Sequence, residues 1–358
     1  MDLVRKFESS PWPDQDTQRV IFILDARNRF EQEILEQWIA HFSPADSTSE
    51  QIVVALGDDR KGIDSTFLKT ALSAVDAAIV APLRMTWLPP ESVINSGPRI
   101  RDFLFGDPRR PNAKRGKKIL NEHPELMHLI VGKPDTLINL RSRFAHQHSA
   151  DDADSTEIFA SFAARQAALV LDIAERRLQG SRYKVPRYVA EGLHASPTYN
   201  EAVDKLAKET GQSKSELMKE ASGYMKEMIS VPRTFWLDFY SRFNNFCLGL
   251  GYEEKIVYDQ DAVEDMRKTV RDHPSLLLWT HKTYLDGMVV PKVMYENDFP
   301  MPHMFGGANM SFAGLGFLLR RSGAIFIRRS FQDNQLYKLT LRHYIGYLME
   351  KRFPMNWA

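Results

Sequence analysis

The chain has 358 residues, 43% of them hydrophobic and 26% charged, enough for a large core and two domains or lobes, and unlike a disordered chain. A formal net charge of +1 excludes a global attraction to nucleic acid or lipid, so an anionic partner has to be met by a local patch. The single cysteine, Cys247, excludes an internal disulfide framework and fits a reducing compartment.

The N-terminal "MDLVRKFESSPWPDQ" lacks the apolar core of a secretory signal. "RVIFILDA" (19–26), "QIVVAL" (51–56) and "DAAIVAPLRMTWL" (76–88) read as strands, and "FEQEILEQWIAHF" (30–42) between the first two has helical apolar spacing. "LMHLIVG" (126–132) is a further strand, so residues 1–134 are expected to form an α/β region of unassigned role with a parallel or mixed sheet. The most apolar stretch, "TALSAVDAAIVAPL", is broken by Asp76 and is too short to span a bilayer. Between them and the next strand, "PRRPNAKRGKK" places six basic residues in eleven. It is a solvated loop or a dock for anionic headgroups or an acidic carrier protein.

Residues 135–250 carry almost no strand signal and are expected to form a helical bundle. Asp154 and Glu157 have capping-box spacing before Phe162, Leu169 and Ile173 on one face, and Ser196-Pro197 resembles an N-cap followed by proline at the first helical position. Ser213 and Glu216 form a second capping box, opening a helix that carries Leu217, Ala221, Tyr224, Met225 and Met228. From 251 to 358 the α/β pattern returns: "KIVYD" as a strand, "DAVEDMRKTVRD" as a helix, "PSLLLWT" (274–280) as a strand buried on both faces, and "GAIFIRR" (323–329) as another strand. A helix follows with Tyr337, Leu341, Tyr344, Ile345 and Leu348 on one stripe, and "FPMNWA" begins a last strand. The fold expected is α/β, with a mixed sheet in this last region.

Three copies of His-x4-Asp occur: His41/Asp46, His146/Asp151 and His281/Asp286. The first lies in the polar "HFSPADS"; the second lies in an acidic linker before a helix, where the helix dipole accounts for the aspartates. Only "THKTYLDGM" (280–288) follows directly on an apolar strand, at the strand-to-helix junction where open α/β sheets place ligands. Residues five apart are out of register on a regular helix. Contact between the pair therefore needs His281 in the turn and Asp286 in the first helical turn. A carboxylate on one imidazole nitrogen fixes the tautomer and leaves the other nitrogen to take a proton. No GxSxG elbow or cysteine pair accompanies it, so direct deprotonation of a substrate hydroxyl is the natural chemistry. Downstream, Arg320/Arg321 and Arg328/Arg329 bracket an apolar strand, and such pairs suit either phosphate binding or a solvated edge. "FGGANM" (305–310) lacks the pattern of a nucleotide loop.

Together "WTHKTYLDG" and "FGGANMSFAGLGFLLRRSGAIFIRRSF" resemble the bacterial PlsB-type glycerol-3-phosphate acyltransferase family, whose first two motifs are His-x4-Asp and Gly-x-x-Phe-Ile-Arg-Arg. The resemblance is clearest over about 240–358. It implies transfer of a fatty acyl group from acyl-CoA or acyl carrier protein to the sn-1 hydroxyl of glycerol 3-phosphate, with no cofactor and no metal. His281 would be the base and Asp286 its partner. Arg329, with Arg328 beside it, would hold the phosphate, Gly323 would allow close backbone approach, and Lys282 stands where arginine is usual. The family's third motif, Glu-Gly followed by basic residues, is expected just after "NWA", so the chain reads as an acyltransferase domain cut short. The implied setting is the cytoplasmic face of the membrane, with peripheral contact to anionic lipid and no nucleic acid. Dihydroxyacetone phosphate or lysophosphatidate as acceptor, and a non-catalytic binding relative, are the competing readings.

Overall fold

A computed structural model describes residues 7–13, 19–45, 48–54, 66–73, 78–89, 102, 107–147, 155–252, 255–280, 282–283, 285–308, 314–331 and 333–357. They fall in two compact units, one ending at Gln179 and the other resuming at Gly180.

The first unit is built on strands β1 (Arg19–Asp25), β2 (Thr48–Val53), β3 (Ile79–Trp87), β4 (Met127–Val131) and the two-residue β5 (Asp135–Thr136). The sheet order is β2-β1-β3-β4, with β5 also on β3; β1 runs parallel to β2 and β3, and β4 antiparallel to β3. Helix α1 (Arg29–His41) starts where the Asn28 side chain accepts from the Glu31 amide at 3.1 Å and the Glu31 carboxylate accepts from the Arg27 amide at 2.9 Å. Its apolar face, Ile34, Leu35, Trp38 and Ile39, packs on Phe22, Leu24 and Met85 of the sheet. Helix α2 (Thr66–Ser73) follows β2. The basic run becomes a loop and helix α3 (Ala113–Glu122), with Asn112 capping it and Arg109 buried, so part of it is structural.

Helices α4 (Leu137–Gln147) and α5 (Thr156–Gln179) complete the unit. Asp154 lies outside the described residues, as does Asp151. At the start of α5 the Ile158 amide donates to Ser155 Oγ at 3.4 Å. Phe162 is buried, but Leu169 and Ile173 are exposed; α5 instead buries Phe159, Ala160, Ala163, Ala164, Ala167, Ala168 and Leu171. Small residues let the helix approach the sheet closely, which a search for large apolar side chains overlooks.

In the second unit, helices α6 (Val189–His194), α7 (Pro197–Thr210) and α8 (Lys214–Met228) pack against one late helix. Ser196 is the N-cap of α7 with proline next, and both bonds of the Ser213/Glu216 capping box form. Helix α8 buries the five residues expected of it. Then come α9 (Thr234–Gly249), α10 (Gln260–Asp272), β6 (Leu276–Leu278), α11 (Asp286–Glu296), β7 (His303–Gly307), α12 (Leu315–Arg321), β8 (Ala324–Ile327), α13 (Gln335–Glu350) and β9 (Met355–Trp357). The order is β6-β9-β7-β8 and every described pairing is parallel. The mixed sheet expected here is therefore corrected to a parallel one, since each described crossover runs through a helix.

Two local readings also differ. "KIVYD" forms no strand: Val257 is 89% exposed and the segment leads into the Asp259 cap of α10. Its β-branched residues have propensity but no partner strand. "PSLLLWT" contributes only 276–278, with Leu276 and Leu278 exposed, because β6 lies at the end of the sheet order.

Candidate active site

Because β6, β9, β7 and β8 are parallel, they leave the sheet at one edge, where open α/β sheets bind ligands. His281/Asp286 follows β6, Ala308 follows β7, and Arg328 and Arg329 follow β8. Gly307 pairs with Ile327, so these exits are level. With neighbouring strands about 4.8 Å apart, β6 and β8 lie about 14 Å from one another across the order.

His281 lies outside the described residues. Asp286 is the first residue of α11 and half-buried. Its Oδ2 accepts from the backbone amides of Lys282 at 2.7 Å and Thr283 at 2.8 Å, and its Oδ1 accepts from Thr283 Oγ1 at 3.2 Å. Thr283 Oγ1 in turn accepts from the Leu285 amide at 3.2 Å. A carboxylate is acceptor-only, and this one is fixed by three donors from the turn that follows His281. Lys282 takes part through its backbone, and its side chain is exposed.

The two arginines after β8 differ. Arg328 donates through Nε and Nη2 to both carboxylate oxygens of Glu227 at 2.8 and 2.6 Å, and lies 5.1 Å over the rings of Tyr224 and Tyr337. That planar fork is committed to α8. Arg329 is exposed at the carboxyl edge. The other pair has structural partners too: Arg320 donates to the carbonyls of Lys226 and Glu227, and Arg321 stacks on Phe317 at 3.5 Å.

Gly323 precedes β8, at the opposite edge of the sheet, about 13 Å from the end of a four-residue strand at 3.3 Å per residue. Its φ is +111°, and a Cβ there would meet the Pro302 carbonyl at 3.3 Å. The structure therefore brings Gly323 together with Pro302, and not with Asp286 or Arg329.

A cavity of about 800 Å³ opens beside Asp286. Leu248, Ile256, Leu285 and Val289 supply apolar wall, and Tyr252, Thr283 and the Lys292–Glu296 ion pair supply polar groups. This wall is not legible in the sequence, where Ile256 reads as a strand residue. Nor is Glu227 legible there, because its pairing with Arg328 spans 101 positions. A readable signal was Pro291, five residues into the helix that Asp286 opens.

The parallel sheet thus places Asp286 and Arg329 at its carboxyl edge. Residues 260–354 match the family model described as Acyltransferase. The plsB1 proteins of Mycobacterium bovis and Mycobacterium tuberculosis, which carry an acyltransferase name, are 31% identical over 160 residues, 45% of this chain and 25% of theirs. A protein named glycerol-3-phosphate acyltransferase from Colwellia psychrerythraea is 27% identical over 258 residues, 71% of this chain and 30% of its own. Residues 260–354 therefore carry an acyltransferase-family domain, and the chain is similar, over the stretches given, to proteins named plsB1 acyltransferase and glycerol-3-phosphate acyltransferase. The alignments span about a quarter to a third of the relatives' length.

Proposed function

We propose that the protein transfers a fatty acyl group from acyl-CoA or acyl carrier protein to the sn-1 hydroxyl of glycerol 3-phosphate. The observation that carries this reading is the shared carboxyl edge: Asp286, held by the turn after His281, and Arg329 leave the same side of a parallel sheet. His281 takes the hydroxyl proton, and the freed oxygen attacks the thioester carbonyl carbon. The carbon–sulfur bond then breaks, and the thiolate leaves with the proton that the imidazole held. Asp286 stabilises the imidazolium, Arg329 holds the phosphate dianion, and Arg328 braces the strand end through Glu227. No cofactor enters this sequence of steps.

Peripheral contact with an anionic bilayer at the cytoplasmic face belongs to the same proposal. Among the described residues no helix is long and apolar enough to cross a membrane. On α9, Trp236, Phe239, Phe243, Phe246 and Leu250 just past its end recur at spacings of three and four. Phe246 is 64% and Leu250 73% exposed. The exposed charge on the helix is Arg242, and its one acidic residue, Asp238, is buried. An aromatic face with a basic edge suits an anionic headgroup layer.

The test incubates the protein with labelled glycerol 3-phosphate and acyl-CoA, in competition with dihydroxyacetone phosphate and lysophosphatidate. Labelled lysophosphatidate, outcompeted poorly by the other two, supports the assignment. Preferential acylation of a competitor reassigns the acceptor, and no product at all supports a binding protein. Flotation with vesicles of phosphatidylglycerol and phosphatidylcholine tests the membrane contact. Recovery unaltered by Phe246→Ser with Leu250→Ser would remove α9 from it.

A further inference from the structure

Helix α11 opens on Asp286 and carries Pro291 in its interior. Proline has no N–H, so the carbonyl four residues earlier, that of Gly287, lacks its i+4 donor. Tyr240 on α9 donates its hydroxyl to that oxygen at 3.1 Å. One turn further along α9, Asn244, fully buried, directs its side-chain amide at the Met288 carbonyl at 3.5 Å. Helix α11 is thus fastened from α9 at the turn where its own ladder is broken, one residue beyond Asp286. Burial raises the Tyr240 hydroxyl above the ordinary tyrosine range, against a smaller opposing effect of Asn244, which keeps it a donor.

The base of α9 is itself anchored. Asp238 accepts from Tyr183 Oη at 2.8 Å and from Tyr295 Oη, on α11, at 2.5 Å. The two helices are therefore pinned near both ends of α11, and Tyr240 acts on a fixed partner. On the other side of Asp286 the chain is an exposed turn, from which Lys282 and Thr283 donate to the carboxylate.

We propose that Tyr240 is a positioning residue for the acyl-transfer site: it fills the gap that Pro291 makes in the first turn of α11 and so holds Asp286 in register with the amides of Lys282 and Thr283. The gap leaves the Gly287 carbonyl available to a second helix, so the orientation of Asp286 is set by tertiary packing and not by the local ladder alone. The inference rests on the acyltransferase reading for its catalytic consequence, but the positioning itself is readable without turnover.

The test is amide hydrogen exchange at Lys282 and Thr283 in the intact chain, because those amides donate to Asp286. Tyr240→Phe is expected to speed exchange at both about ten-fold, the equivalent of one ordinary hydrogen bond, with α13 unaffected. Adding Pro291→Ala restores a donor to the Gly287 carbonyl, and exchange is expected to return to within about two-fold of the parent. Unchanged exchange in Tyr240→Phe, or a double variant as fast as the single one, overturns the proposal. Should Tyr240→Phe fail to fold alone, Pro291→Ala serves as the reference. In that background the tyrosine change is expected to have no effect at 282 and 283, and a ten-fold acceleration would refute the inference. In turnover, Tyr240→Phe is expected to lower kcat about ten-fold with the KM for glycerol 3-phosphate unchanged, and Pro291→Ala is expected to rescue it. A chain with no acyl transfer in any form would sink the functional reading while leaving the exchange result to stand or fall separately.

Discussion

Asp286 has two jobs in this account, and Asp286→Asn separates them. Its Oδ2 accepts both turn amides and its Oδ1 accepts the Thr283 hydroxyl. Asparagine keeps one carbonyl oxygen for the two amides, and its NH2 can donate to Thr283 Oγ1, which also accepts. The turn should survive, with stability within about 1 kcal/mol of the parent. Asp286→Ala leaves both amides without that acceptor. Since the turn is exposed, water replaces part of the loss, and about 1–2 kcal/mol is expected. The carboxylate charge that the proposed mechanism assigns to the imidazolium disappears in both variants. In a Ser-His-Asp triad, replacing the carboxylate by its amide costs about 10⁴ in kcat. A loss of at least about 100-fold is therefore expected in both variants here, within the usual range for general-base help. Thermal melting paired with transfer of label from acyl-CoA to glycerol 3-phosphate reads the two effects apart. An Asp286→Asn protein that turns over at close to the parent rate would show that Asp286 only fixes the preceding turn, and the catalytic pair would fall.

Three further perturbations follow from the same structure. Arg329→Ala should raise the KM for glycerol 3-phosphate at least ten-fold with unchanged melting, whereas Arg328→Ala should mainly lower stability, since it strands Glu227; equal kinetic effects would contradict the division of labour. Burial pushes the His303 imidazole down to about 4, against a weaker pull from the Gly323 backbone. The unfolded chain then takes up a proton near pH 6.5 that the fold refuses. Stability should be full above pH 6.5 and fall by about 3 kcal/mol as pH drops through 4. His303→Phe should flatten that slope in acid-melting curves, and an unchanged slope would assign it elsewhere. In the first unit, Arg84 is buried and paired with Asp25, Asp172 and Glu175 at 2.6–2.7 Å. Burial alone would raise the Glu175 carboxyl, but Arg84, Arg27 and the Thr86 hydroxyl hold it at about 2. Arg84→Met should cost about 3–5 kcal/mol by leaving buried carboxylates unpaired. A chemical-denaturation midpoint that barely moves would refute the cluster's structural role.

What was readable in the sequence divides along the range of the interactions. Ser213 and Glu216 sit three apart and cap each other, so α8 and its buried face could be read from spacing alone. The same holds for the tyrosine and leucine stripe of α13. Pairing between distant segments was not readable. Ile256 and Val257 look like strand residues, yet no strand pairs with them, and Ile256 lines the cavity instead. Arg328 and Arg329 are indistinguishable as letters; Glu227, on a helix about a hundred residues earlier, decides that one is braced and the other exposed. Gly323 is a backbone requirement at φ +111°, which a motif match alone does not separate from substrate contact. The insertion of β9 between β6 and β7 likewise follows from packing and not from order along the chain.

The most direct measurement is the rate at which His281→Ala, beside the parent protein, converts labelled glycerol 3-phosphate and acyl-CoA to lysophosphatidate. A fall of at least about 100-fold is expected, the lower bound for losing a general base, with glycerol 3-phosphate still bound through Arg329. A variant that acylates glycerol 3-phosphate at the parent rate would contradict it.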